Sequence, residues 1–322
     1  MALPKLTPRN RVPKSLSIVA PCYNEQEVAR ELVSRIDNAA QSTNIPYEIV
    51  LVDDGSKDET WIILQELSKE YENLKVIKLS RNFGHQLALT CGLDQSKGEV
   101  ILIIDADLQD PPELLPDMIK LWSDGFDVIY GKRQSRAGES VSKRFFAYSF
   151  YRILSKVAGV SIPQDTGDFR LMDRKALDAL LSLKERHRFI RGMVSWVGFN
   201  QTPLIYKRAE RFAGETKYPF KKSLLLAFNA IVSFSYAPLR IASYVGFATS
   251  IFAMLYIAVI ILLKILGINV PGYTSMMATI LLLGGIQLVV LGIIGEYIGR
   301  IFEQGQNRPL YIVSDISGEP KI

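Results

Sequence analysis

The stretch Val100-Ile101-Leu102-Ile103-Ile104-Asp105-Ala106-Asp107 decides how this chain folds. An apolar run of this length that ends in polar residues is typical of a strand buried on both faces of a parallel sheet. Two carboxylates follow the strand directly, so they lie at its carboxyl end, where open α/β sheets bind their ligands. Mg²⁺ and similar hard cations prefer carboxylate oxygen, often together with the phosphates of a substrate. The stretch therefore predicts a metal-assisted phosphate site at a sheet edge.

The sequence around this stretch alternates between strand and helix patterns. Strands are predicted at Leu16–Ala20, Glu48–Val52, Lys75–Leu79, Val100–Ile104 and Asp127–Tyr130. Helices are predicted between them at Glu25–Ser42, Asp58–Tyr71, His85–Gln95 and Glu113–Asp124. Alternation of this kind indicates βαβ units, and therefore an α/β domain whose sheet is mostly parallel with flanking helices.

The C-terminal third of the chain contains two long stretches without charge, Ile241–Leu263 and Ile265–Gly295. Roughly 20 apolar residues span a bilayer as a helix, so each stretch is long enough to do so. Buried core helices of a large soluble protein are the alternative, but cores rarely need so many uncharged residues in succession. The pattern predicts a hairpin of two transmembrane helices.

Basic residues predict the orientation of this hairpin. In a chain of 322 residues with net charge +5, cations flank the apolar stretches at Lys217, Lys221, Lys222, Arg240, Arg300 and Arg308. The connection at residues 267–273 carries no charge, so the positive-inside rule predicts that both ends of the hairpin lie in the cytosol. The first 15 residues are basic and lack an apolar core, so we expect no signal peptide there.

Two further segments, residues 140–160 and 218–236, mix cations with aromatic residues. This composition is typical of amphipathic helices that lie in the membrane interface. An ordinary core-facing helix is an equal alternative for 140–160, whereas 218–236 leads directly into the first span, which favours the interface. We expect a cytosolic α/β domain at 1–215 that includes the segment 140–160, an interfacial helix at 216–238, two transmembrane helices at 239–300 and a cytosolic tail at 301–322.

Small residues and thiols add two minor expectations. Gly295 and Gly299 have the spacing that lets helices approach closely, either within the hairpin or between copies of the chain. Cys22 and Cys91 have no metal-ligand spacing and are expected to be packing residues.

Polar segments follow four of the predicted strands. They are Pro21–Glu25, Val52–Ser56, Arg81–Gly84 and Asp105–Gln109. Because the carboxyl ends of parallel strands share one edge of a sheet, these segments converge on a ligand site. Each segment alone is a weak signal, since Asp-Gly turns and Asp-x-Asp pairs are common. Together, in this order, they are a strong one.

In these motifs the chain resembles family 2 glycosyltransferases with the GT-A fold. The resemblance is to the polyprenyl-phosphate type, which includes dolichol-phosphate mannose synthases and bacterial GtrB-type undecaprenyl-phosphate glucosyltransferases. It also covers Asp-Thr-Gly-Asp-Phe-Arg-Leu at 165–171, Arg-Phe-Ala-Gly-Glu-Thr-Lys at 211–217 and the C-terminal hairpin. The resemblance implies a Rossmann-like GT-A domain, amphipathic interfacial helices and a two-helix membrane hairpin.

The resemblance also implies roles for individual residues. The nucleotide-sugar pocket would comprise Pro21, Tyr23, Glu25, Val52, Asp54, Asp105, Ala106, Asp107, Arg133, Arg211 and Lys217. Within it, Asp54 would face the base and Arg133 a phosphate. The metal ligands would be Asp105, Asp107 and Gln109. The residues assigned to catalysis are Asp107, Asp165, Asp168 and Arg170. A diphosphate leaving group needs neutralisation by a metal and by arginine, which agrees with this set.

Structural roles are the alternatives for these residues. Asp105 and Asp107 would then cap a helix, and Asp165 and Asp168 would cap or form salt bridges. Arg211 and Lys217 would belong to a basic patch at the membrane surface.

The implied reaction is the inverting transfer of a sugar from a nucleotide diphosphate to a polyprenyl phosphate, with Mg²⁺ or Mn²⁺ as cofactor. UDP-glucose and undecaprenyl phosphate are the favoured substrates, and GDP-mannose or another UDP-sugar stays open. We expect a homo-oligomeric, multi-pass protein of the bacterial inner membrane with its catalytic domain in the cytosol and no nucleic-acid partner. A phosphate monoester has its second pKa near ~6, so the acceptor attacks without a strong base and Asp165 or Asp168 would orient it.

Three other functions are weighed against this one. A processive polysaccharide synthase would carry a Gln-x-x-Arg-Trp motif and more spans, and Arg191 and Trp196 have the wrong spacing for it. A dinucleotide-binding domain would show GxGxxG after its first strand, which is lacking here. A non-catalytic membrane scaffold or lipid-translocation protein would not need the acidic residues Glu25, Asp54, Asp105 and Asp107.

Overall fold

The computed structural model describes residues 7–134, 166–207, 235–267 and 272–320. The contacts of the chain divide it into two units. The first comprises Met1–Phe220 together with Pro309–Ile322, and the second comprises Lys221–Arg308.

The first unit is built on one sheet of eight strands. The strands are β1 Leu16–Cys22, β2 Tyr47–Asp53, β3 Leu74–Leu79, β4 Val100–Ile103, β5 Val128–Arg133, β6 Thr166–Asp173, β7 Gln201–Tyr206 and β8 Val313–Ser317. Their order across the sheet is β7-β5-β6-β4-β1-β2-β3-β8. Pairing is parallel except around β6 and at β8, which are antiparallel to their neighbours. The mostly parallel sheet that the sequence predicts is therefore confirmed.

Six helices in the described part of this unit flank the sheet. They are α1 Ala29–Gln41, α2 Thr60–Glu70, α3 His85–Gln95, α4 Leu115–Ser123, α5 Arg174–Ser182 and α6 Ile190–Val197. Helix α3 begins and ends at the predicted residues. Helix α1 begins four residues later than predicted, because Asn24 adopts a left-handed backbone (φ 53°) and the chain turns before the helix can start.

The core of the unit lies around the central strands. Every residue of β1, β2, β4 and β6 is buried, as expected for strands with helices on both faces. Cys22 and Cys91 are both buried among apolar side chains. Burial raises the pKa of the Cys91 thiol to about 12 and that of Cys22 well above its ordinary value. Both thiols therefore act as packing groups, as predicted.

The edge strand β8 comes from the segment that the sequence presents as a tail. It pairs antiparallel with β3, which precedes one of the polar loops at the sheet edge. The Tyr311 hydroxyl donates to Asp94 at 2.7 Å, and the hydroxyls of Ser68 and Ser317 lie 2.6 Å apart. The segment predicted as a cytosolic tail, residues 301–322, thus contributes Val313–Ser317 to the sheet of the first unit.

Gly318 tests how much this returning strand contributes to stability. Its backbone is left-handed (φ 82°), and a Cβ built there would collide with the carbonyl oxygen of Leu74. We expect Gly318→Ala to lower the free energy of unfolding by about 1–3 kcal/mol, because alanine is strained in this conformation. Thermal unfolding of the purified protein measures the change. Gly305→Ala is the control, since an added Cβ there meets nothing within 4 Å. Equal melting temperatures for both variants would contradict the prediction.

The second unit consists of α7 Ala237–Ile265 and α8 Tyr273–Gly305. Both helices are long and apolar enough to cross a membrane, judged by length and composition. The apolar windows of both helices are 0% buried inside the described structure, where core helices would be mostly buried. Hydroxyl groups within them donate to carbonyls one turn back, as from Thr249 to Val245 at 2.9 Å and from Thr279 to Ser275 at 2.8 Å. The predicted two-helix hairpin is confirmed.

The glycines of α8 do not pack against α7. A Cβ added at Gly295 or Gly299 meets nothing within 4 Å in the described part of the chain. Their use between copies of the chain stays a prediction. The predicted interfacial segment 140–160 and all of 218–234 lie outside the described residues.

Candidate active site

Polar side chains gather at the edge of the sheet where β1, β2 and β4 end and β6 begins. Several hydrogen bonds join the loops after β1 and β2. Asn24 N–H donates to Ser56 Oγ at 3.0 Å, Lys57 N–H to Asn24 Oδ1 at 2.9 Å, and Glu25 N–H to Thr60 Oγ1 at 2.8 Å. These bonds fix the loop that carries Tyr23 and Glu25.

Two predicted pocket residues, Pro21 and Val52, are neighbours at this edge. They are register partners in the parallel pairing of β1 with β2. Val52 is fully buried and Pro21 is buried as well, so both form the floor beneath the two loops. The structure thus brings the predicted residues of the first two segments together.

Asp54 ties the second loop to the third. Its two carboxylate oxygens accept from Phe83 N–H at 2.7 Å and from Gly84 N–H at 2.9 Å. Burial raises the pKa of this carboxyl, and the two backbone donors oppose the rise. Because Gly84 immediately precedes α3, Asp54 also fixes where that helix starts. A contact between Asp54 and a nucleotide base stays a prediction.

Three potential metal-ligating groups meet where α3 starts and β4 ends. The Nε2 atom of His85 lies 3.5 Å from Asp105 Oδ1 and 3.3 Å from Asp168 Oδ2. In the described part of the chain, one ligand atom from each residue lies within 4.8 Å of the others. The residue pair after β4, the start of α3 and strand β6 therefore contribute to a single cluster.

Asp168 is held in this cluster by several donors. Arg191 Nε lies 2.8 Å from Asp168 Oδ1, and Gln86 Nε2 donates to Oδ2 at 3.2 Å. The guanidinium of Arg170 folds back on the start of β6 and donates to Gly167 O at 3.0 Å and to Asp168 O at 3.2 Å. Asp168 is 1% exposed, so these groups surround a buried charge.

The two carboxylates of the cluster have opposite pKa shifts. Burial raises the pKa of Asp105 to about 6; His85 opposes this rise, and the charge of Asp168 adds to it. Burial also disfavours ionisation of Asp168, but Arg191 and His85 hold its pKa well below its usual range. The surrounding protein opposes protonation of His85, yet the two carboxylates raise its pKa. Asp105 is therefore the carboxylate whose charge is least compensated.

This arrangement fits a divalent cation. The Oδ1 atom of Asp105 is buried without a hydrogen-bond partner among the described residues. A buried carboxylate oxygen of this kind is costly unless a cation or donor reaches it. Carboxylates suit both Mg²⁺ and Mn²⁺, and an imidazole beside them disfavours Mg²⁺, which prefers oxygen ligands. Asp107, the second carboxylate of the predicted metal set, accepts from Gln109 N–H at 3.1 Å.

Residues 17–181 of the chain match glycosyl transferase family 2. The chain belongs to this family. The match covers β1 to β6 and most of α5, so it includes His85, Asp105 and Asp168. Residues 237–301 match the GtrB C-terminal hairpin, which corresponds to α7 and most of α8. The resemblance drawn from the motifs is thereby confirmed for both parts of the chain.

The glycosyltransferase is similar over nearly its full length to several bacterial and phage proteins. It is 48% identical to the uncharacterized glycosyltransferase YkcC of Bacillus subtilis, over 94% of each chain. It is 39% identical to the bactoprenol glucosyl transferase of Shigella phage SfII, over 92% of this chain and 97% of that protein. A solved glucosyl-3-phosphoglycerate synthase of Mycobacterium tuberculosis is 17% identical, with a TM-score of 0.45, over 68% of this chain and 78% of that chain.

Two of the remaining predicted pocket residues, Ala106 and Arg133, lie in the described part of the glycosyltransferase. Ala106 is 5% exposed and packs below the cluster. Arg133 lies against other side chains: its Nη2 is 3.7 Å from Asp110 Oδ1, and its Nε donates to the Tyr206 hydroxyl at 3.4 Å. Its contact with a phosphate stays a prediction. Asp165, Arg211 and Lys217 lie outside the described residues.

Sequence reasoning missed two residues of the glycosyltransferase site, His85 and Arg191. His85 is one of only two histidines in the chain and begins a helix directly after a polar loop, which is a usable signal. Arg191 lies 23 residues from its partner Asp168, and a lone arginine in a basic segment gives no such signal.

Proposed function

We propose that this glycosyltransferase transfers a sugar from a nucleotide diphosphate to a polyprenyl phosphate. The observation that carries the proposal is the His85, Asp105 and Asp168 cluster at the sheet edge of a chain that also bears a membrane hairpin. The cluster suits a metal and a diphosphate, and the hairpin suits an acceptor that resides in a bilayer. Relatives named bactoprenol glucosyl transferase support the same acceptor class.

Glucose from UDP-glucose is the donor that we propose first. The glucosyl transfer in the names of the relatives supports the sugar. The pocket would be formed by the loops after β1 and β2, with Tyr23, Glu25 and Asp54 at the nucleotide. GDP-mannose and other UDP-sugars are the alternatives, because the same motifs would accept them.

We include a divalent cation, Mg²⁺ or Mn²⁺, in this function. Asp105 is the residue most suited to hold it, since its buried Oδ1 has no hydrogen-bond partner among the described residues. A bound cation neutralises charge on the departing diphosphate. Asp107 follows two residues later and would act at the same diphosphate.

The chemistry would be a single in-line displacement that inverts the anomeric carbon. An oxygen of the acceptor phosphate forms a bond to that carbon, and the bond from the carbon to the diphosphate oxygen breaks with its electron pair. The acceptor is mostly dianionic near neutral pH, because its second pKa is near ~6, so no proton has to be removed. Asp165 or Asp168 would then orient the acceptor phosphate, and Arg170, Arg211 and Lys217 would hold that phosphate close to the anomeric carbon of the sugar.

We propose a multi-pass protein of the bacterial inner membrane with its catalytic unit in the cytosol. The sheet supports the multi-pass arrangement. Strands β1–β7 precede the hairpin in sequence and β8 follows it, yet all of these strands pair in one sheet. This connectivity supports a hairpin whose two ends lie on one side of the membrane. The cations around the hairpin favour the cytosolic side by the positive-inside rule.

One screen tests the proposed function. Purified protein is incubated with undecaprenyl phosphate, Mn²⁺ or Mg²⁺, and a panel of labelled sugar nucleotides. We expect UDP-glucose to give a lipid-extractable labelled product that does not form without the lipid phosphate. If no donor gives product and no nucleotide binds in calorimetry, the rival function of a non-catalytic membrane scaffold is favoured.

Asp107→Ala tests the role of the second carboxylate in the same assay. We expect turnover to fall on the order of 10²–10³-fold, because a charge beside the departing diphosphate is lost. Initial rates at saturating UDP-glucose measure the effect. Near-wild-type turnover would show that Asp107 only stabilises its turn through the bond from Gln109 N–H.

A further inference from the structure

The predicted metal ligands, Asp105, Asp107 and Gln109, offer only oxygen atoms. The structure adds a nitrogen donor beside the first of them, because His85 Nε2 lies 3.5 Å from Asp105 Oδ1. A cation that takes the buried oxygen of Asp105 would therefore lie next to an imidazole. The identity of the ligand atoms decides which metal the site prefers, so the difference is testable.

The spacing of the donor atoms agrees with a shared cation. Bonds of about 2.1 Å place neighbouring corners of an octahedron about 3 Å apart. His85 Nε2 lies 3.5 Å from Asp105 Oδ1 and 3.3 Å from Asp168 Oδ2, slightly wider than that separation. All three ligand atoms lie within 4.8 Å of one another, so inward movement of the side chains would let them share one cation.

The third group, Asp168, has one oxygen directed to this position. Its Oδ1 is held by Arg191 Nε at 2.8 Å, which leaves Oδ2 on the side of His85. The contacts of Oδ2 with His85, Gln86 and Arg191 measure 3.2–3.3 Å, longer than the usual N–H···O distance of about 2.9 Å. Oδ2 therefore has longer contacts than Oδ1, which makes it the oxygen of Asp168 that suits a metal ion.

The backbone fixes the position of the imidazole. His85 is the first residue of α3, and the preceding Gly84 has a left-handed backbone (φ 99°). The N–H groups of Phe83 and Gly84 are anchored on Asp54 at 2.7 and 2.9 Å. Asp54, in the loop after β2, therefore holds the turn that directs the His85 ring toward Asp105.

We propose that His85 Nε2 coordinates the divalent cation together with Asp105 and Asp168. The inference rests on the proposed metal dependence and makes it more specific. A mixed nitrogen and oxygen set favours Mn²⁺ over Mg²⁺, because Mg²⁺ prefers oxygen ligands and retains water. The all-oxygen set of Asp105, Asp107 and Gln109 would show no such preference.

Electron spin-echo envelope modulation of bound Mn²⁺ tests this directly, since a coordinated imidazole nitrogen modulates the echo. The full-length protein is purified without a histidine tag and loaded with Mn²⁺, first alone and then with UDP. Because the chain has only two histidines, His187→Gln is a matched control for His85→Gln. We expect nitrogen modulation in the wild type and in His187→Gln, and its loss in His85→Gln.

Mn²⁺ affinity from the free-ion signal is the second readout. We expect His85→Gln to weaken Mn²⁺ binding about 10–100-fold, while its Mg²⁺ affinity changes little. Unchanged melting of the apo variant shows that the loss is not unfolding. Bound Mn²⁺ without nitrogen modulation in the wild type would overturn the proposal, and so would modulation that persists in His85→Gln. Sugar transfer is assayed separately, so active enzyme with an all-oxygen Mn²⁺ site refutes only the ligand set, whereas absent transfer refutes the proposed function.

Discussion

Asp105→Asn is expected to lower the rate of sugar transfer on the order of 10²–10³-fold. Asp105 belongs both to the ligand set predicted from the sequence and to the set proposed from the structure, so no alternative geometry compensates for its loss. Asparagine keeps the shape of the side chain but removes the charge that a cation would bind. Initial rates with labelled UDP-glucose, undecaprenyl phosphate and saturating Mn²⁺ measure the effect.

The same variant separates a catalytic from a structural role of Asp105. Burial raises the pKa of this carboxyl to about 6, so the charged form is disfavoured in the folded protein without a metal. A neutral asparagine should leave the melting temperature of the metal-free protein unchanged or raise it. Asp117→Asn on the exposed face of α4 is the control for both measurements. Transfer within tenfold of the wild type would refute the assignment of Asp105 to the site.

The parallel half of the sheet could be predicted because its information is local. β1, β2 and β4 are continuous apolar runs, and each is followed by polar residues at the edge where ligands bind. The bounds of helix α3 could be predicted as well, because Gly84 immediately precedes its first residue and Ser96 follows its last. The stretch at 100–107 therefore predicted the buried central strand β4 and the edge of the sheet where His85, Asp105 and Asp168 gather.

The antiparallel strands could not be predicted in the same way. β6 reads Thr-Gly-Asp-Phe-Arg-Leu-Met-Asp, and its Asp168 and Arg170 are buried although they are charged. Their burial is tolerated because Arg191 pairs with Asp168 from a helix that follows much later. β8 is short, half polar and separated from β3 by more than two hundred residues, so no local pattern predicts its pairing.

The candidate site likewise combines residues that local sequence patterns predict with residues that they do not predict. The loops that hold Tyr23, Asp54 and Asp105 follow from strand ends, and the structure brings them together as predicted. The position of His85 beside Asp105 depends on how the turn at Gly84 is anchored by Asp54. This hydrogen bond joins two loops about 30 residues apart. The position that it gives to His85 depends on tertiary packing, so the spacing of the motifs could not predict it.

Arg9→Ala is expected to give the largest loss of stability in the first unit, about 3 kcal/mol. The guanidinium donates to Phe126 O at 2.9 Å and bridges two carboxylates, Asp127 at 2.5 Å and Asp173 at 3.2 Å. It also stacks on the Trp122 ring at 4.5 Å. Asp127 is 3% exposed and also pairs with Lys175 at 2.7 Å, so removal of Arg9 takes away one of the two cations that compensate this buried charge. Denaturant unfolding of the purified protein measures the loss.

The pH dependence distinguishes this ion-pair effect from lost packing. Burial opposes ionisation of Asp127, but Lys175, Asn200 N–H and Arg9 together hold its pKa below the ordinary value. A depressed folded-state pKa gives stability that is present above the unfolded value of about 3.9 and is lost as the pH falls through the folded value. The difference between wild type and Arg9→Ala should therefore be largest near neutral pH and shrink below about pH 4. Arg30→Ala, whose pair with Glu66 is exposed, should show little change at any pH, because surface ion pairs contribute little. A difference for Arg9→Ala that is constant with pH would mean that stacking on Trp122, not charge, is what Arg9 provides.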